Sequence, residues 1–300
     1  MNDNRRAHEA SGLRAFFNEQ LQHLHGLLDH VMVDDAESAT DEELRVVENF
    51  VDTANNKMRA VQGYADKLRG HVGALFRHVL DVAAQIPPPL ELNATALRTC
   101  PIVNALFVDQ HDIDRLISAN AEIDAYLRNH GAFQVPVLYA LLTANKTEKS
   151  ILGVGMLGDL LVRDVPQQTV NFHGHKLLMP SADSEQLGAA IKSYLFDHVV
   201  RLIRQEMAAR RMAESVAPGE HSYRDRVNSL ANPDIYLHSL LEHLENPEQL
   251  LRIEKNHLIV NKLGVKLGND DRQCRNEFDI HELTWSDGSR NVVLTVAYSR

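Results

Sequence analysis

The feature that most constrains this chain is an unbroken heptad. Apolar residues at Leu44, Val47, Val51, Ala54, Met58, Val61, Ala65, Leu68, Val72, Leu75, Val79 and Val82 recur with spacing 3, 4, 3, 4. That spacing keeps one stripe of a helix turned toward a partner, so it predicts a long helix of coiled-coil type. Thr40-Asp41-Glu42-Glu43 is a capping box at its start, and Pro87-Pro88-Pro89 cannot continue it.

Upstream, Phe17, Leu21, Leu24, Leu28 and Val31 repeat the pattern, with an acidic turn over Asp34 to Glu43. The two helices are expected to form an antiparallel hairpin, a coiled-coil-like stalk over residues 1–89. At 1.5 Å per residue the first is about 37 Å long and the second about 66 Å, so the shorter leaves the longer uncovered. Leu68, Val72, Leu75, Val79 and Val82 therefore need another partner, either the rest of the chain or a second copy, and are the expected oligomer interface. Phe50 and Phe76 widen the stripe toward a bundle.

Beyond the prolines the pattern changes, and the fold class expected is α+β. Residues 90–213 read as one domain: a short strand over Ile102 to Val108, a helix capped by Asp109, an antiparallel meander from Phe133 to Met179, then a helix from about Ser181 to Arg211. In the meander, Asn145 to Lys149 and His173-Gly174 read as turns. Glu214 to Tyr223 is the best linker. Residues 224–300 carry helices opened by Pro233 and Pro247, then strands over about 258–267, 277–285 and 291–298, the last two joined through Asp287-Gly288. These form a three-stranded antiparallel sheet, separate or part of the same body.

Lys plus Arg number 31 against 41 Asp plus Glu, a net charge of −10, with 44% hydrophobic and 24% charged residues. This is the composition of a soluble globular protein, and its sign argues against nucleic acid and anionic membranes as partners. The one basic cluster, Arg201, Arg204, Arg210 and Arg211, falls at a helix C-terminus, where cations complement the macrodipole. No apolar segment follows Met1 to Arg6, and the longest charge-free apolar stretch, Ala132 to Asn145, is too short to span a bilayer. A cytoplasmic protein without membrane insertion is expected, with Cys100 and Cys274 reduced.

Candidate chemistry is sparse. Gly153-Val154-Gly155-Met156-Leu157-Gly158 matches the dinucleotide fingerprint by letter, but Pro166 leaves no room for the helix that fingerprint needs. His173-Gly174-His175 has the form of a metal-binding pair, yet no carboxylate follows over Lys176 to Ser181, and a hairpin turn explains it better. His23 with His30 and His71 with His78 are heptad-spaced, about 10.5 Å apart along a helix and too far for one ion. Asp109, Asp112 and Asp114 beside His111 fit helix capping. No catalytic residue and no cofactor is nominated, and the reading leans away from an enzyme. The function expected is an interaction, scaffold or regulatory protein that self-associates through its N-terminal helices and binds an unidentified protein partner. The alternative is a small-ligand or metal-binding sensor or enzyme, with a pocket between the 135–179 sheet and the 187–211 helix and His173 and His175 at its edge.

Overall fold

The computed structural model describes residues 36–131, 135–157, 160–216, 232–268 and 275–299. In chain order the elements are α1 (Ala36–Ala54), a 3-10 turn (Asn56–Ala60), α2 (Tyr64–Ala84), β1 (Leu90–Glu91), α3 (Ala96–Thr99), α4 (Pro101–Leu106), α5 (Gln110–Ser118) and α6 (Ala121–His130). There follow β2 (Val137–Leu157), β3 (Leu160–Ser181), α7 (Ser184–Val216), α8 (Pro233–Leu244), α9 (Pro247–Leu250), β4 (Leu251–Val260), β5 (Asn276–Trp285) and β6 (Arg290–Ser299). The class is α+β, with an antiparallel sheet packed with helices. The chain divides into two compact units, Met1–Ala83 with Ala189–Leu250, and Ala84–Gly188 with Leu251–Arg300. Each is assembled from two separate segments.

In the first, helical unit the expected continuous helix is interrupted. The Asn55 side chain accepts the Lys57 amide and opens the 3-10 turn, and Gly63 takes φ +69°, a conformation costly to other residues. Arg59 ties the turn back to α1 through Glu48 (2.6 Å) and Asp52. The apolar stripe nevertheless carries on across the break: Val47, Val51, Met58 and Val61 are buried, Leu68, Val72, Leu75 and Val79 are 0% exposed, and Val82 is 2% exposed, all within a single chain. Phe76 meets Phe196 of α7 edge to face, with ring centroids 5.7 Å apart. The expected first helix, Phe17 to Val31, and most of the Glu214 to Tyr223 linker lie outside the described residues.

The second unit is a curled sheet of strand order β3-β2-β6-β5-β4, antiparallel throughout, with two-residue β1 added parallel to β6. One face alternates Leu138, Ala140, Leu142 and Ala144 on β2, Val292, Leu294 and Val296 on β6, Phe278 and Ile280 on β5, and Leu258 and Val260 on β4. It packs against Ile102, Val103 and Leu106 of α4, Ile113 of α5 and Ile123 of α6. The period of two is what puts these residues on one side.

Three expectations are corrected here. Residues 102–108 are not a strand: Pro101 stands in the first turn of α4, where its missing N–H costs nothing. Asn145 to Lys149 is not a loop, and His173-Gly174 is not a hairpin. Both lie inside a continuous ribbon, with Asn145 opposite His173, Lys146 opposite Phe172 and Glu148 opposite Val170. Gly174, at φ +65°, sits beside the register shift between Thr143 and Asn145, so the glycine serves a bulge and not a turn. By contrast, Asp287-Gly288 does form the β5–β6 turn, with the Gly288 amide donating to the Trp285 carbonyl (2.9 Å).

β4 and β3 stand at opposite ends of the strand order, and the segment after β4 joins them. The Val170 amide donates to the Gly264 carbonyl and the Lys266 amide to the Gln168 carbonyl, both at 2.7 Å, with Thr169 bridged to Val265. Residues 261–267 thus strap the two edges of the curl together.

Candidate functional site

The strap forms one wall of a groove of about 460 Å³. The opposite wall is the C-terminal end of α4, from Asn104 to Val108; Val170 to Phe172 of β3 form the floor, and Asn276 of β5 closes one end. The local sequence explains this arrangement. α4 stops at Leu106, and Phe107 turns extended with its amide still bonded to the Val103 carbonyl. Asn261 folds the strap by accepting the amides of Leu263 (2.9 Å) and Val265 (3.0 Å) on its side-chain oxygen. Gly264, at φ +75°, passes so close to β3 that a Cβ there would lie 2.5 Å from the Val170 carbonyl oxygen.

The groove's lining mixes amide and apolar side chains. Asn276 donates to the Asn104 side-chain oxygen (2.9 Å), and Asn104 donates to the Leu97 carbonyl (3.1 Å). Leu106, Phe107, Val170 and Val260 are buried beneath, while Val108 and Leu263 are 90% and 81% exposed at its lips. Among the described residues lining it there is no carboxylate, and the one formal charge is Lys262.

A second polar cluster lies on the core-bearing face, one step beyond the apolar rows. Glu282, buried at 6% exposure, accepts from Lys146 Nζ (2.6 Å) and Asn256 Nδ2 (2.8 Å). Lys146 also pairs with Glu148 (3.2 Å), which accepts from Lys266 Nζ of the strap (2.6 Å). Burial pulls the Lys146 ammonium down, but the two carboxylates outweigh it and hold it above the usual lysine value. The Lys266 hydrogen bond leads in holding Glu148 below its ordinary range. A lysine kept charged in this way is a clasp between strands, not a nucleophile.

His173 and His175 sit on β3 with different surroundings. His173 Nδ1 is 3.4 Å from Thr147 Oγ1 and exposed, whereas the His175 ring stacks on Phe107 at 4.9 Å. Burial lowers the His175 pKa, with Asp112 opposing and His173 adding to it. Among the described residues no group of three or more His, Cys, Asp or Glu is placed to hold a metal ion. His71 and His78 are half-buried on α2, His23 and His30 lie outside the described residues, and Asp109 caps α5 by accepting the Asp112 amide (3.0 Å). Cys100 is a free, half-buried thiol, and Cys274 lies outside the described residues. Of the basic cluster, Arg201 donates to His198 (2.6 Å) and Arg204 to the Thr53 carbonyl (3.5 Å).

The pocket expected from the sequence drew on residues 187–211, most of which belong to the helical unit; the groove is built wholly from the sheet unit and shares only β3 with that expectation. Its asparagines carry no local signal, because the pairing of Asn104 with Asn276 depends on a fold that joins positions far apart in the chain. No helix among the described residues is long and apolar enough to cross a membrane. Comparison with protein-family models, curated proteins and solved structures finds no match to this chain.

Proposed function

We propose that this chain is an interaction protein that self-associates, and that the docking element is the far end of the β2–β3 ribbon. One observation carries the reading. Ile151, Leu152, Val154, Leu160 and Leu161 are 41%, 70%, 52%, 70% and 69% exposed, more than half of the large apolar side chains exposed among the described residues. They are concentrated in one short stretch of two strands. Pairing of β2 with β6 ends at Ala144 and Val292, and the strap reaches β3 no further than Gln168. Past Ser150 and Gln168 the ribbon therefore runs about seven residues, about 24 Å, with no described strand on either edge.

Open strand edges with apolar side chains on both faces are the combination that soluble proteins normally blunt or cover. The N-terminal heptad is less suited to an intermolecular contact, because Leu68 to Val82 already spend their apolar stripe inside one chain. A partner ribbon from a second copy would cover both what is apolar and what is unpaired. Light scattering behind a sizing column tests this with Leu152→Lys combined with Leu161→Lys. The wild type is expected to be larger than a monomer at tens of micromolar and the double variant monomeric with an unchanged melting temperature. A monomeric wild type, or a double variant of the same size as an oligomeric wild type, would refute it.

A further inference from the structure

We infer that the groove between α4, β3 and the strap binds a small monoanionic ligand with an apolar body. Volume is the first support: about 460 Å³ lies within the range of cavities that take small molecules, about 300 to 1,000 Å³.

Charge is the second. Acidic residues number 41 in 300, yet the groove's described lining has none and carries Lys262. In a chain of net charge −10, a described lining whose single charge is positive favours an anion over a cation.

Hydrogen-bond capacity is the third. The Asn261 side-chain oxygen is occupied by two strap amides, so what that side chain can still offer is N–H, while Asn104 and Asn276, which donate to the Leu97 carbonyl and to Asn104, each keep one further amide N–H. Together with the Lys262 ammonium the mouth is rich in donors, which suits a carboxylate. Beside it, the exposed side chains of Val108 and Leu263 present apolar surface to the rest of the ligand. The site is independent of the ribbon tip, so either reading can fail alone.

Three probes that share a ring and differ in charge decide it: phenylacetate, 2-phenylethanol and 2-phenylethylamine, titrated into the full chain and followed by the amide signals of Asn104, Asn261 and Asn276 in NMR spectra. Phenylacetate is expected to saturate at millimolar concentration, the alcohol to bind more weakly, and the amine not to bind. Lys262 is exposed, so Lys262→Gln leaves the fold intact and is expected to weaken phenylacetate on the order of fivefold, the scale of one exposed ion pair. Lys262→Glu should remove the preference for the anion. Equal binding of amine and acid, no saturation, signals moving elsewhere in the chain, or indifference to Lys262→Gln would each overturn the inference.

Discussion

Replacing Gly264 by alanine separates two costs that are normally confounded. The backbone there is left-handed, at φ +75°, which charges a residue with a Cβ about 1 to 2 kcal/mol. The new Cβ would also lie 2.5 Å from the Val170 carbonyl oxygen, whereas ordinary contacts begin at 3.4 Å. The strap must therefore lift by close to an ångström, straining the Val170–Gly264 and Lys266–Gln168 hydrogen bonds, each worth about 1 kcal/mol. The sum is about 3 to 4 kcal/mol. Gly288 supplies the control, being left-handed at φ +81° in the same unit but with nothing within 4 Å of a built Cβ. Gly288→Ala should cost about 1 to 2 kcal/mol, the backbone part alone. Trp285, the single tryptophan and a β5 residue, reports the sheet unit by fluorescence in urea titrations. Equal midpoints for the two variants at unchanged slope would refute the close approach of strap and sheet.

Asp197, on α7, is pushed up to about 6 by burial, with Arg201 opposing. A carboxyl whose folded pKa is raised costs no stability below its unfolded value near 3.8; the penalty grows through the interval and is complete above about 6. Asp197→Asn should thus raise stability by about 3 kcal/mol at pH 8 and leave it nearly unchanged at pH 3.5; equal gains at both, measured by circular-dichroism melts, would contradict this. Lys146→Met strands the Glu282 carboxylate in a buried site and should cost about 3 to 5 kcal/mol. Pairing it with Glu282→Leu should return stability to within about 1 kcal/mol of wild type, and strictly additive losses in the double-mutant cycle would show that the pair is not coupled.

Periodicity made the buried residues legible, and punctuation was legible only in part: Asp287-Gly288 and the Asp109 cap hold, whereas the break inside the heptad does not show. The heptad from Val47 to Val82 identifies inward positions across a break it does not show, because packing selects a stripe whereas the break depends on Asn55 and the left-handed Gly63. Strand alternation likewise exposes the β6 core residues Val292, Leu294 and Val296. Lys146 and Glu148 read as loop because charged residues suggest solvent; they stay in a strand because Glu282, 136 positions from Lys146, supplies the missing partner. The groove suffers the same way. Its walls come from α4, β3 and the strap, which only the closed curl brings side by side.

The place of β6 sets the order in which this protein can be made. β6 lies between β2 and β5, so the centre of the sheet is synthesised after all of its other strands. Leu142 must wait for Leu294, and a helical segment, Ala189–Leu250, emerges in the interval. Until residues 290–299 arrive, β2 and β3 stand as a ribbon lacking the neighbour that fastens it to β5, with Leu141 and Leu142 open to any edge that comes by. Synthesis halted a few residues short of β6 would deprive the sheet of its middle and not of its margin, and would leave two halves with no backbone bonds to each other through that strand.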